Sequence, residues 1–314
     1  MADAPLIVIV GPTASGKTAL SLFLAQQFGG EILSCDSVAV YREFEIGTAK
    51  PSSAERALIR HHLIDVANPN EAFTAGEYAR LARQALSDVS SRGKLPIIVG
   101  GTGLYLRALI EGLFEGPQRS EELREKLRQR AAERGPGYLH RLLLRMDSTA
   151  AKKIHSNDDP KLIRAIEVRL ATGQAMTELW KQGRDPLTGF RILQLGLDPD
   201  RDALYDRINQ RAATMFDRGL VAETEALRQR HGSELSGLRS LGYKQVVQFL
   251  SGEVTLPEAI QAAQQGHRNY AKRQLTWFRR DADIQWLHHF GDSPEAKQRA
   301  HSLVSGFLAS ASTQ

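Results

Sequence analysis

The segment Gly11-Pro12-Thr13-Ala14-Ser15-Gly16-Lys17-Thr18 fits a phosphate-binding loop at every fixed position. Its glycines permit backbone shapes that a Cβ would block, so successive N–H groups can turn inward around phosphate oxygens. A helix starting near Lys17 would aim its positive end at the same anion. Lys17 adds a full charge, and the Thr18 hydroxyl can ligate Mg²⁺. The pattern identifies a diphosphate or triphosphate ligand and names neither the nucleotide nor the reaction. Asp36 follows Ile32-Leu33-Ser34-Cys35. It could hold Mg²⁺ through water, take a proton as a general base, or serve as a turn acid with Ser37. Asp65, after Leu63-Ile64, and Asp198, after Leu195-Gly196-Leu197, are rival metal-binding acids. Thr102, in Gly100-Gly101-Thr102-Gly103, could bind a substrate or leaving group, or simply turn a strand into a helix.

These residues need a parallel sheet to bring them together, because ligands gather at the carboxyl ends of parallel strands. Leu6-Ile7-Val8-Ile9-Val10 is an apolar run suited to a strand buried on both faces, and residues 18–28 read as a helix ended by Gly29-Gly30. Further strands are expected at 31–34, 95–99 and 192–197, with a helix at 104–110. The expected fold class is α/β: a P-loop NTPase-like, mostly parallel sheet flanked by helices, with a helical insertion. The first part of the core is 1–116, the insertion 117–190, and the second part of the core 191–314. In the insertion Ser120 can cap a helix carrying Glu121 and Glu122 in its first turn, Leu123 and Leu127 mark its apolar stripe, and Gly135-Pro136 stop it. Residues 139–145 and 162–171 also read as helices, as do 201–218, 221–231 and 256–278 after the insertion; the tail 309–314 is expected to fray.

The 314 residues are 42% apolar and 25% charged, which argues against a disordered or fibrous chain. Lys and Arg (41) exceed Asp and Glu (36) by five, an excess that would suit a polyanion if clustered on one face. Cys35 is the only cysteine, so no internal disulfide and no cysteine-based zinc cluster can form. No apolar stretch approaches the roughly 18–20 residues that span a bilayer, and Met1-Ala2-Asp3-Ala4-Pro5 lacks a basic leader. A cytoplasmic monomer with no membrane partner is expected.

Several segments, taken in order, resemble the tRNA dimethylallyltransferase (IPP transferase) family. They are the phosphate loop, Asp36-Ser37 with Tyr41-Arg42, Ile46-Gly47-Thr48-Ala49-Lys50-Pro51 and Gly100-Gly101-Thr102-Gly103-Leu104-Tyr105. Asn157-Asp158, Arg164-Ala165-Ile166-Glu167-Val168, Thr172-Gly173, Leu241-Gly242-Tyr243-Lys244-Gln245 and Ala271-Lys272-Arg273-Gln274-Leu275-Thr276-Trp277-Phe278-Arg279-Arg280 follow. The resemblance runs from residue 6 to about 287. It implies transfer of a dimethylallyl group from dimethylallyl diphosphate to N6 of the adenosine 3′ to the anticodon, in tRNAs reading codons that begin with U. Diphosphate leaves, and Mg²⁺ is the implied cofactor, held at Thr18. The loop (Gly11, Pro12, Thr13, Ala14, Ser15, Gly16, Lys17, Thr18) would bind the donor's diphosphate, although such a motif is often labelled ATP-binding.

The resemblance further implies that Asp36 is the base and that Thr102 and Arg211 assist the leaving group. Arg207 and Arg211 lie four apart on one helix face, and Arg211 is the preferred contact. The insertion would clamp the anticodon stem-loop, with Asp36, Ser37, Val38, Ala39 and Thr102 near the target base and Arg124, Lys161 and Arg164 as RNA contacts. Tyr243, Lys244 and Gln245 would read the anticodon loop, and Lys272 and Arg273 would meet phosphates with salt-sensitive affinity. The chain departs from the family at Ala39, where some members carry glutamine or a larger apolar residue, at Ser156, a common proline, and at Asp159-Pro160-Lys161, usually more basic. Cys35, His61-His62, His288-His289, Trp180 and Trp286 read as core or surface residues without a metal. Two other functions fit the loop: a kinase acting on a small metabolite, and a non-enzymatic RNA-binding switch. The kinase leaves the basic C-terminal helix and the 157–168 segment without a role.

Overall fold

The computed structural model describes residues 3–114, 116–117, 119–179 and 183–310, so Trp180 and residues 311–314 of the tail lie outside the described residues. The chain forms two compact units, one of Met1–Ile110 with Leu187–Gln314 and one of Glu111–Pro186.

In the first unit, β1 (Ala4–Val10), α1 (Lys17–Phe28), β2 (Gly30–Cys35), α2 (Ser53–Leu58), β3 (His61–His62), α3 (Ala75–Ser91), β4 (Leu95–Gly100) and α4 (Gly103–Ile110) precede the break. The second unit holds α5 (Glu121–Arg134), α6 (Tyr138–Met146), α7 (Ser148–Lys153), α8 (Asp159–Thr172) and α9 (Met176–Leu179). The first unit resumes with β5 (Phe190–Leu197), α10 (Arg201–Asp217), α11 (Leu220–His231), α12 (Tyr243–Leu250), α13 (Leu256–Phe278), β6 (Ile284–Leu287) and α14 (Pro294–Ala309).

The sheet is six-stranded and parallel throughout, in the order β3-β2-β4-β1-β5-β6. Ile7 pairs with Ile97 on one side and Leu193 on the other. Alternation along β1 feeds two cores. Leu6 and Val8 pack with Leu33 and Ile98, while Ile7 and Ile9 pack with Leu20 and Leu24 of α1 and Ala300 and Val304 of α14. Helices on both faces explain why the strand reads as an unbroken apolar run. The carboxyl ends of β1, β2 and β4 lie side by side, which brings Gly11, Asp36 and Thr102 to one edge.

The second unit packs Leu127, Leu139, Leu143, Leu162 and Ile166 into its own core. Ser120 caps α5 by accepting from the Leu123 amide, Gly135 ends it, Asp158 caps α8 and Gly173 ends that helix. The compact unit runs a few residues ahead of the 117–190 expectation at both ends. Phe190 is already in β5, where it pairs with Ala4.

Candidate active site

The phosphate loop leaves β1 at Gly11 and enters α1 at Lys17. Gly16 is the N-cap at φ 90°, and a Cβ there would sit 2.7 Å from the Gly291 nitrogen and 3.0 Å from that of Asp292. The loop after β6 thus braces the phosphate loop, and the Gly291 amide donates to the Ser15 carbonyl at 2.9 Å. Lys17 is half-buried; its Nζ donates to the carbonyls of Gly11 (3.0 Å) and Pro12 (2.7 Å). Burial, and then the Arg211 charge, push its ammonium down to about 7 against the opposing pull of Asp36. Loop residues Thr13 to Thr18 line a cavity of about 690 Å³ together with Asp36, Gly101, Arg211, Tyr270 and Gln274.

Asp36 stands just past β2. Its Oδ1 accepts from the Val38 (2.8 Å) and Ala39 (3.0 Å) amides. Oδ1 fixes the turn, and Oδ2 has no hydrogen-bond partner among the described residues, so the turn role leaves one oxygen of the carboxylate unengaged. Thr102 Oγ1 accepts from the Ser37 amide at 3.1 Å, and the Thr102 amide donates to the Cys35 carbonyl at 3.2 Å. These bonds stitch the turn after β4 to the turn after β2. The rival acids are engaged elsewhere. Asp65 accepts from Lys50 (2.6 Å) and Arg56 (2.7 Å), and Asp198 from Arg279 (2.7 Å). Cys35 is buried, which pushes its thiol up to about 12.

The two arginines of α10 behave differently. Arg207 forms a bidentate pair with Asp292 at 2.8 and 3.0 Å and lies 3.8 Å from the centre of the Phe290 ring. Arg211 reaches the phosphate loop instead, with Nη1 3.4 Å from Thr13 Oγ1. Beside it, burial and the Arg211 charge push the His267 imidazole down to about 4, so it is neutral near pH 7, and its Nε2 is buried without a protein partner among the described residues.

Two site residues were passed over as site candidates in the sequence reading. Gln274 of α13 is buried; its Oε1 accepts from the Thr13 amide (2.9 Å) and its Nε2 donates to the Gly101 carbonyl (3.0 Å). Tyr270, one turn earlier, lines the cavity with its hydroxyl beside Thr102; burial and then the Asp36 charge push that hydroxyl up to about 12. The available signal was a polar residue, Gln274, on the same buried stripe as Ala271 and Phe278.

The residues expected to touch RNA fall into two groups. Lys272 and Arg273 are exposed on α13, with Arg273 5.7 Å from the Tyr270 ring centre. Lys244 and Lys161 are exposed as well, and Lys161 pairs with Asp158. Tyr243 and Gln245 require correction, because both are buried and internally bonded. The Tyr243 hydroxyl donates to Glu223 (2.6 Å) and accepts from the Gly47 amide (3.2 Å), and Gln245 accepts from the Gly242 amide (2.9 Å). They hold the 46–48 loop and the start of α12 rather than presenting side chains to a ligand. Arg124 and Arg164 bond the buried Glu167 at 2.7–2.9 Å. Burial would raise that carboxyl, but Arg124, Arg164 and the Ser120 amide outweigh it and hold it at about 2.

Among the described residues no cluster of three His, Cys, Asp or Glu side chains could hold a metal, and no helix is long and apolar enough to cross a membrane.

The sequence profile of the family described as IPP transferase matches residues 39–281. A tRNA dimethylallyltransferase of Koribacter versatilis is 66% identical over 304 residues, covering 97% of this chain and 99% of the relative. A crystal structure of a tRNA isopentenylpyrophosphate transferase from Bacillus halodurans is 38% identical, covers 98% of both chains and superposes with a TM-score of 0.73. A eukaryotic dimethylallyltransferase captured acting on tRNA is 27% identical, with a TM-score of 0.81 over 98% of this chain and 80% of that one. Match, identity and architecture agree over nearly the whole length: the chain belongs to the IPP transferase family.

Proposed function

We propose that this chain transfers a dimethylallyl group from dimethylallyl diphosphate to N6 of the adenosine 3′ to the anticodon, in tRNAs reading codons that begin with U. The observation that carries the reading is the convergence of Lys17, Arg211 and Asp36 on one cavity floored by the phosphate loop. Two basic side chains and the remaining amides of the loop suit a departing diphosphate. A carboxylate with one unengaged oxygen suits the acceptor amine.

In the reaction N6 attacks the first carbon of the dimethylallyl group. The carbon–oxygen bond to diphosphate breaks, diphosphate leaves with the electron pair, and the N6 proton passes to Asp36 Oδ2. Thr102, tied to Ser37, keeps the turns after β2 and β4 in register at the meeting point. Mg²⁺ fits the donor set, because this ion takes few protein oxygens and completes its shell with phosphate oxygens and water. Thr18, on the first turn of α1 and lining the cavity, would hold it. When bound, the ion neutralises charge on the diphosphate.

Lys272, Arg273 and Lys244 are the RNA contacts we favour in the first unit, and Lys161 in the second. Ser37, Val38 and Ala39 would border the base. Arg124 and Arg164 support the helical unit through Glu167, with their partly exposed edges facing RNA. The protein acts in the cytoplasm as a monomer.

The test is incubation with Mg²⁺, unmodified tRNA and labelled dimethylallyl diphosphate. Label entering RNA supports the reading. ATP turnover onto a small acceptor without RNA labelling would replace it with a kinase, and RNA binding without either reaction with a switch.

A further inference from the structure

Gln274 occupies an unusual place. A single buried side chain joins the donor's phosphate loop, through the Thr13 amide, to the turn that carries Thr102, through the Gly101 carbonyl. The same Thr13 receives Arg211 on its hydroxyl, so Gln274 also sets the residue on which that arginine rests. The seat is closely fitted: a Cβ on Gly101 would overlap the Gln274 amide, while the next atom it would meet is the Gly11 carbonyl at 3.5 Å. Gly101 therefore has to be glycine because of Gln274, not because of its own backbone. One turn earlier on α13, Tyr270 sits beside Thr102, and the exposed side of the helix carries Lys272 and Arg273.

We propose that Gln274 is a positioning residue that sets the spacing between the diphosphate-binding loop and the acceptor-side turn, so that the donor carbon and the acceptor nitrogen meet in register. This rests on the transfer reading above. Gln274 touches neither reacting atom; it acts through Thr13 and Gly101. Both of its hydrogen bonds are to backbone, so the two turns are held by a strut whose length is one glutamine side chain. Losing the strut leaves each turn on its own strand, with its own ligand contacts intact, but frees their separation. A displacement of about 1 Å at reacting atoms can cost on the order of 10²-fold in rate. The loss falls on the transfer step rather than on binding.

Single-turnover transfer and equilibrium binding separate these effects. Gln274→Glu keeps an acceptor for the Thr13 amide but sets a carboxylate against the Gly101 carbonyl. Gln274→Ala removes both bonds. The transfer rate should fall roughly 100-fold in each. In Gln274→Ala, binding of inorganic diphosphate and of the anticodon stem-loop, each measured alone, should change by less than about threefold; the charge added in Gln274→Glu weakens diphosphate binding too, so the transfer rate of that variant is read at saturating donor. Gly101→Ala should produce the same fall by displacing the glutamine. In the double variant Gly101→Ala with Gln274→Ala, the added methyl has room, so the loss should be no greater than for Gln274→Ala alone. A rate unchanged in both Gln274 variants overturns the proposal. So does a loss found wholly in diphosphate or RNA binding, or a double variant whose losses multiply. Wild-type protein that transfers no label defeats the underlying function instead. Melting temperatures guard against misfolding: a Gln274→Ala that unfolds is replaced by Gln274→Glu and Gly101→Ala, which carry the test by themselves.

Discussion

Replacing Glu167 with glutamine should loosen the helical unit while leaving the α/β unit untouched. The Glu167 carboxylate is 1% exposed and accepts from Arg124 Nε (2.9 Å) and Nη2 (2.7 Å), Arg164 Nη1 (2.7 Å) and the Ser120 amide (2.8 Å). Glutamine matches its shape, removes its charge and turns an amide against a guanidinium. Breaking a buried ion pair costs about 3–5 kcal/mol; because both arginines are partly exposed and can turn to water, roughly 2–3 kcal/mol is expected here. The lowered pKa corresponds to a similar size. Lowering this carboxyl from its ordinary 4.5 to about 2 is worth roughly 3 kcal/mol. The folded-state value is the lower one, so this stabilisation is complete above about pH 4.5 and disappears as the pH falls toward 2. Amide hydrogen exchange at neutral pH reads the effect locally. Protection in α5 and α8 should drop roughly 30- to 150-fold in Glu167→Gln, with β1 and α1 unchanged. The difference between variant and wild type should shrink as the pH is lowered toward 3. Unchanged protection in α5 and α8, or a loss shared equally by β1, would refute the reasoning.

Arg211→Lys should weaken inorganic diphosphate binding about tenfold or more, whereas Arg207→Lys, at a residue paired with Asp292, should change it less than threefold; calorimetry distinguishes them. Lys272→Ala with Arg273→Ala should weaken stem-loop binding and lower the slope of log affinity against log salt by about 1.4–1.8, whereas an unaltered slope would make that helix face mere surface charge. Tyr243→Phe removes the hydroxyl that bridges Glu223 and Gly47, so it should lower stability by about 1–3 kcal/mol in urea titration and leave stem-loop affinity unchanged.

Much of this was legible in the sequence, for physical reasons that differ by element. β1, β4 and β5 are buried on both faces and advertise themselves as apolar runs, and the phosphate loop shows because glycines at fixed spacing have few other uses. Helix α13 spans the expected 256–278, bounded by a Thr255 capping box and the end of its apolar stripe. The two-residue β3 and the short β6 carry too little pattern to be seen. Helix α3 was also passed over; its stripe of Tyr78, Ala82, Leu86 and Val89 follows helical spacing but carries no chemistry. At the site, the acid after β2 was visible because its strand was; the resemblance singled it out from Asp65 and Asp198, and the ion pairs that engage those two supply the physical reason that position alone did not. Tyr243 and Gln245 misled because the resemblance assigned the whole Tyr243-Lys244-Gln245 segment to the anticodon loop, while the partners that fix the tyrosine inside the fold, Gly47 and Glu223, lie far away in sequence. Gln274 stayed hidden for the same reason: its two partners are 261 and 173 residues distant.

The most direct measurement is the single-turnover rate of Asp36→Asn on saturating dimethylallyl diphosphate and tRNA. Asparagine keeps an oxygen for the Val38 and Ala39 amides, so the turn survives while the proton acceptor is lost. The account requires the rate to fall about 10²–10⁴-fold, with tRNA affinity nearly unchanged. A variant that prenylates RNA at the wild-type rate would contradict it.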